Sequence, residues 1–128
     1  MVRVHFKKEA TCPIKAGDIK KYLSTFLVSE GLLQDADVSV VMVGQQEMLS
    51  LAQKYLGEKD VLHNVLSFPA KEGGDFIYPP GGTLYLGEII VCYKKALEEA
   101  EEENLNVTEK VRELVCHGAL HLLGKHHD

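Results

Sequence analysis

The residues best suited to chemistry in this 128-residue chain are histidines near its C-terminal end. His117 and His121 are four residues apart, so on an α-helix their imidazoles project from one face, a turn apart. Gly124 follows one turn later and can take the left-handed conformation that ends a helix, after which His126 or His127 can return toward the pair. Three imidazoles without a fourth protein ligand are typical of catalytic zinc sites, which keep one position open for water.

Two simpler interpretations compete with metal binding. A pair of histidines spaced by four is common on amphipathic helices, and a final His-His-Asp is also what a solvated tail or the start of a purification tag would show. Only two consecutive histidines are present, which is short for a tag. The third imidazole beyond Gly124 matches zinc coordination and favours the metal site.

The same spacing is that of the metzincin proteases, H-E-x-x-H-x-x-G-x-x-H. The glutamate that follows their first histidine and acts as the general base is Gly118 here. Glycine cannot move a proton, so the pattern predicts the metal frame of a hydrolase without the base that peptide hydrolysis needs. Metalloprotease is therefore the weaker interpretation.

Length and composition predict one cytoplasmic domain spanning residues 1–128. No apolar run approaches the roughly 18 residues of a membrane span, and the first residues alternate like a strand rather than forming a signal peptide. Cys12, Cys92 and Cys116 are an odd number without a C-x-x-C pair, as expected for reduced thiols. The net charge of −5 argues against a broad nucleic-acid surface, although several lysines cluster far from the acidic run 98–103.

Hydrophobic periodicity predicts four strands and four helices. The fourth helix carries the histidine pair, and Thr108 is the predicted N-cap. The predicted strands are Val2–Phe6, Val38–Val43, Val65–Pro69 and Leu84–Cys92, and the first three helices are Lys15–Glu30, Gln45–Tyr55 and Tyr93–Glu103.

These elements predict an α+β fold, a small mixed β-sheet packed with helices. Strands separated by helices in the first half favour parallel pairing, whereas the direct connection between the last two strands favours an antiparallel pair. That connection is a Gly- and Pro-rich loop, Lys71–Thr83, which is either a functional rim or a disordered linker.

With these elements placed, three segments together resemble the YbeY family of metal-dependent endoribonucleases. The segment from His117 is similar to the family signature H-G-x-L-H-L-x-G-x-D-H. Asn64–Pro69 is similar to T-[DN]-V-L-S-F-P, and Leu86–Val91 to L-G-[DE]-I-x-[IV]. Their order and spacing agree over nearly the whole chain.

The resemblance implies a four-stranded mixed sheet with a C-terminal metal-binding helix and one zinc-type ion held by His117, His121 and His127. It implies cleavage of single-stranded RNA during 3′-end maturation of small-subunit (16S) rRNA and in ribosome quality control, with small-subunit components as further partners. Because the other two motifs bracket the Lys71–Thr83 loop, we expect Asn64, Ser67 and Phe68 beside a metal cleft. No side chain is assigned as the catalytic base, and the nucleophile is water at the metal.

The chain departs from the family pattern at three positions. His126 replaces the aspartate before the last histidine, so either neighbour could be the third ligand. His63 stands where threonine is usual. Leu56 replaces an arginine that is the best candidate for holding a phosphate.

Two classes of function therefore remain open besides the protease. One is a metal-dependent ribonuclease in which the metal and nearby lysines meet the phosphate charge. The other is a ribosome-associated binding factor in which the metal is structural.

Overall fold

The fold is a four-stranded sheet packed with four helices, in a computed structural model that describes residues 1–9, 11–70 and 83–125. In chain order the elements are β1 (Val2–Lys8), α1 (Ala16–Ser29), β2 (Ala36–Val43), α2 (Gln45–Leu56), β3 (Val65–Pro69), β4 (Leu84–Cys92), α3 (Tyr93–Glu103) and α4 (Val107–Leu122).

The sheet has the strand order β1-β2-β4-β3. β1 and β4 pair parallel to β2, and β3 pairs antiparallel to β4. The predicted α+β class, the mixed sheet and both pairing directions are thus confirmed. The predicted bounds of β3, β4 and α3 are also confirmed, while β1 runs two residues further, to Lys8, because it stays paired with β2 up to Met42.

Hydrophobic residues pack on both faces of the sheet. One face carries the larger core, where Leu23 of α1 and Val115 of α4 are fully buried with strand residues such as Val40. On the other face α2 covers a smaller cluster that includes Met48 and Ile90. The helix with the histidine pair therefore lies on the larger core, against β3 and β4.

The N-cap of α4 corrects the sequence prediction. Thr108 lies inside the first turn, and Asn106 is the N-cap. Asn106 Oδ1 accepts from the backbone N–H of Glu109 at 2.8 Å, and Glu109 Oε1 accepts from the backbone N–H of Asn106 at 3.3 Å. This capping box needs an acidic or amide side chain three residues after the cap. Asn106 has Glu109 at that place, whereas Thr108 has Val111.

All three cysteines are free thiols, as the sequence predicted, and Cys12 and Cys92 are buried. Among the described residues, no helix combines the length and the apolar character that crossing a membrane requires.

Gly87 bends β4 at a point where no other residue fits. The register with β2 shifts between Asp37 and Val38, so β4 carries an extra residue there, and Gly87 has φ of 135°. A Cβ at this position would overlap the carbonyl oxygen of Phe68 in the neighbouring strand. The glycine thus allows the bulge and the close pairing of β4 with β3.

We expect Gly87→Ala to lower the free energy of unfolding by about 2–4 kcal/mol, from the strained φ and the overlap with Phe68. Gly17→Ala is the matched control, since Gly17 lies in α1 with nothing within 4 Å of an added Cβ. That change should leave stability unchanged or raise it by up to about 1 kcal/mol. Urea unfolding of both variants is the measurement, and equal stability of the two would contradict this account of the bulge.

Candidate metal centre

The two helical histidines of α4 converge on one point in space. Both side chains are exposed, and their rings lie with centroids 4.7 Å apart at 71°. The Nε2 atoms of His117 and His121 are 3.2 Å apart. The predicted shared helix face is therefore present.

This separation fits two ligands of one zinc-type ion. With Zn–N bonds of about 2.0–2.1 Å and tetrahedral angles, two imidazole nitrogens lie about 3.3 Å apart. The same distance also allows one neutral ring to donate a hydrogen bond to the other. Within 1–9, 11–70 and 83–125, no third His, Cys, Asp or Glu joins the pair as a metal-binding group. His126 and His127, the two candidates for third ligand, lie outside the described residues.

The end of α4 turns the chain as the sequence predicted. Gly124 has φ of 76°. Its N–H donates to the carbonyl of His121, and the N–H of Lys125 donates to the carbonyl of Leu120. These two bonds form a Schellman motif. Lys125 Nζ also donates to the backbone carbonyl of Glu30 at 3.0 Å, at the end of α1. The chain is thus fixed in position up to the residue before His126.

Gly118 lies where α4 comes closest to the sheet. A Cβ there would be 2.8 Å from Ile89 Cγ2, which is too close, and 3.1 Å from Ser67 Oγ, which would have to shift slightly. Ser67 Oγ donates to the carbonyl of Gly118 at 3.2 Å and ties β3 to the helix. The glycine therefore sets the helix-to-sheet distance, and the general base of the metzincin pattern has no room at this position.

A cleft of about 350 Å³ lies between the histidine pair and β3. It is lined by Asn64, Val65, Leu66, Ser67, Pro69, His117 and His121. The structure thus brings two of the three expected rim residues, Asn64 and Ser67, to the histidines. The loop residues 71–82, also expected at this rim, lie outside the described residues.

Phe68 is not brought to this cleft. It belongs with the smaller core on the other face of the sheet, where its ring centroid is 5.2 Å from that of Tyr55 in α2. Alternate side chains of a strand point to opposite faces, so Ser67 and Phe68 cannot share one. Leu56, which replaces the family's arginine, follows Tyr55 and is 47% exposed.

The cleft has no Lys or Arg side chain among its described lining residues. The lysines that the sequence suggested for meeting phosphate charge are therefore not part of this wall. Within the described chain, the two imidazoles are the groups that can carry positive charge or hold a cation at this site.

Sequence reasoning missed a polar network behind the cleft. Asn64 Nδ2 donates to both carboxylate oxygens of Glu99 in α3, at 3.1 and 3.3 Å. Lys110 of α4 is 5% exposed, and its Nζ lies 3.6 Å from Glu99 Oε1 and 2.9 Å from Glu103 Oε2. Burial alone would lower the pKa of Lys110, but hydrogen bonds to Glu103 and Glu113 outweigh it and raise that pKa. The sequence did contain one indication of this network, because Lys110 falls on the apolar stripe of α4, four residues before Leu114.

Cys116 does not add a ligand to the pair. It packs against the larger core, and burial raises the pKa of its thiol to about 11. The thiol is therefore protonated near neutral pH, whereas a metal ligand or nucleophile must be a thiolate.

A larger groove of about 560 Å³ lies between α1 and α4. Its main charged groups are already paired, since Arg112 donates to both oxygens of Asp18 at 2.8 and 2.6 Å. Its floor includes Tyr22, whose ring lies 5.0 Å from the guanidinium carbon of Arg112. This groove lacks converging ligands, and the cleft at the histidine pair is the better site for chemistry.

Known proteins resemble this chain in sequence and in fold. It is 36% identical over 110 residues to the endoribonuclease YbeY of Macrococcus caseolyticus, covering 86% of this chain and 71% of the relative. It is 33% identical to that of Dehalococcoides mccartyi, covering 99% and 76%. The solution structure of TM1509 from Thermotoga maritima matches with a TM-score of 0.64 at 30% identity, covering 98% of this chain and 75% of that one.

The sequence model of the family described as endoribonuclease YbeY matches residues 5–128. That range includes the histidine segment, the Asn64–Pro69 motif and the Leu86–Val91 motif, so the resemblance found in the sequence is confirmed. The chain belongs to the endoribonuclease YbeY family.

Proposed function

We propose that this chain is a metal-dependent endoribonuclease that cleaves single-stranded RNA at the cleft beside α4. The observation that carries the proposal is the 3.2 Å approach of His117 Nε2 and His121 Nε2 at the mouth of that cleft. Membership in the endoribonuclease YbeY family supports the reaction class and RNA as substrate. The cellular role proposed is cytoplasmic 3′-end maturation of small-subunit (16S) rRNA and ribosome quality control, with small-subunit components as partners.

The proposed resident ion is one zinc-type divalent metal held by His117, His121 and His127. When bound, such an ion polarises a phosphodiester and makes a water molecule a better nucleophile near neutral pH. The chain's own contribution is positioning. The Ser67–Gly118 hydrogen bond and the close approach at Gly118 fix α4 against β3, and both imidazoles therefore keep their place beside Ser67.

A second candidate is a ribosome-associated binding factor whose metal is structural. The observation that favours it is the absence of Lys and Arg among the described residues lining the cleft, together with Leu56 in place of the family's arginine. Without such a group, transition-state charge is less well stabilised; losing one stabilising group typically costs about 10²–10³ in rate. Slow cleavage is therefore expected.

Metal content is the first test. Tag-free protein should carry about one divalent transition metal per chain, and His117→Ala and His121→Ala should each lose most of it because each removes a ligand. His5→Ala is the matched control, an exposed histidine on β1 that pairs with Asp37 and lies outside the cleft. Elemental analysis after identical purification is the measurement, and equal metal in all four proteins would refute the site.

The third ligand is a separate prediction. We expect His127→Ala to lower metal affinity strongly and His126→Ala to leave it nearly unchanged, since both family patterns use the position three residues after the glycine. Competition with a chromogenic chelator gives the affinities. The reverse ranking would assign the ligand to His126.

The reaction is tested on two substrates. Wild type should cleave an rRNA 3′-end fragment slowly and only without chelator, and it should leave casein intact because Gly118 supplies no general base. His121→Ala, purified identically, should lack the RNA cleavage and so controls for contaminating nuclease. RNA loss equal in wild type and His121→Ala, with and without chelator, would leave the binding-factor function. Casein cleavage confined to metal-loaded wild type would instead establish a protease.

A further inference from the structure

The two polar side chains on the β3 side of the cleft direct their hydrogen-bond donors into the protein. Asn64 Nδ2 donates to both oxygens of Glu99, at 3.1 and 3.3 Å. Ser67 Oγ donates to the carbonyl of Gly118 at 3.2 Å. What these two side chains retain for a ligand is acceptor capacity, the Asn64 carbonyl oxygen and the lone pairs of the Ser67 hydroxyl.

The orientation of the Asn64 amide is set by charge. An ionised carboxylate only accepts hydrogen bonds, so the end of the amide that meets Glu99 must be its NH₂ group. Glu99 is held in turn by the buried ammonium of Lys110, 3.6 Å away. The backbone carbonyl of Asn64 also accepts from the N–H of Cys92 at 2.9 Å, which fixes the residue at the start of β3. The carbonyl end of the side chain is therefore the free end.

That carbonyl oxygen is open to solvent. Among the described residues, no donor hydrogen-bonds to Asn64 Oδ1. Every buried side-chain nitrogen or oxygen of those residues has a hydrogen-bond partner, so an atom without one is not buried. An oxygen without a protein partner that is not buried must be accessible, and Asn64 lines the cleft. A ligand with a donor can thus reach it.

These two side chains therefore disfavour phosphate and favour a hydroxyl. Phosphate oxygens are acceptors, and the carboxylate of Glu99 behind Asn64 adds negative charge. In the sugar–phosphate backbone the donor is the ribose 2′-hydroxyl, the group by which a protein distinguishes RNA from DNA. Riboses adjoin every phosphate of a strand, so a strand placed at the histidine pair brings 2′-hydroxyls next to these side chains.

We propose that Asn64, with Ser67, recognises the ribose 2′-hydroxyl of the substrate, and that Glu99 and Lys110 are the positioning residues that keep the Asn64 carbonyl turned toward the cleft. This inference rests on the proposed function, since it takes RNA as the ligand of the cleft. It adds the feature of RNA that the site reads.

Binding of two strands with the same base tests the inference. The probes are a short fluorescein-labelled oligouridine and the matching oligodeoxyuridine, titrated with metal-loaded protein and followed by anisotropy. Wild type should bind the ribo strand more tightly, and Asn64→Ala should reduce that preference by about 3- to 10-fold, the effect of one hydrogen bond. Affinity for the deoxy strand should not change. Gln53→Ala, which removes an exposed amide from α2, should keep the wild-type preference.

Glu99→Gln tests the positioning role. The neutral amide can donate as well as accept, so it no longer fixes which end of Asn64 faces the cleft. Lys110 keeps Glu103 and Glu113 as partners, and thermal stability should therefore remain close to wild type. The ribo preference should fall as it does in Asn64→Ala. A merely structural role for Glu99 would change stability and leave the preference intact.

The outcomes separate this inference from the proposed function. A ribo preference that is equal in wild type and Asn64→Ala, or absent from wild type, overturns the inference even if RNA is cleaved. A preference that depends on Asn64 and Glu99 supports it even if the rRNA fragment is not cleaved, in which case only the catalytic part of the proposed function fails.

Discussion

The structure of the site depends on the close packing of α4 against the sheet at Gly118. A single added Cβ would press on Ile89 and Ser67, so any other residue would require these side chains or the helix to shift. The short distance lets Ser67 hydrogen-bond the helix backbone and places the histidine pair directly beside β3. The same contact that makes the cleft also removes the position a protease would use for its base. Packing and chemistry are therefore set by one residue.

The second constraint is a buried cation. Moving an ammonium out of water is costly, and Lys110 is stabilised by three surrounding carboxylates, those of Glu99, Glu103 and Glu113. Well-packed apolar residues often replace such buried charges at little or no cost to stability. What the charges provide here is orientation, because Glu99 fixes one end of the Asn64 amide. The cluster of Lys110 and its carboxylates between α3 and α4 thus determines which end of the Asn64 amide faces the cleft between α4 and β3.

These two features give the cleft its electrostatic character. Its described wall presents acceptors and imidazoles but no Lys or Arg side chain. A phosphate group would find little there to balance its charge, and in the proposed reaction a bound divalent ion would supply that balance. The arrangement suits a site in which the ion balances the phosphate charge, while Asn64 and Ser67 bind the ribose.

Local sequence determined the order of the elements, the bounds of β3, β4 and α3, the pairing directions and the shared face of His117 and His121, because each follows from short-range periodicity or connection length. Two errors were also local: Asn106 rather than Thr108 caps α4, and the strand period separates Phe68 from Ser67. Only the tertiary structure could show why residue 118 is glycine, or that Asn64 meets Glu99, 35 residues away. The reason is physical. Helix periodicity says which residues share a face, but the distance between a helix and a sheet, and the partners of a buried charge, are set by how all the elements pack together.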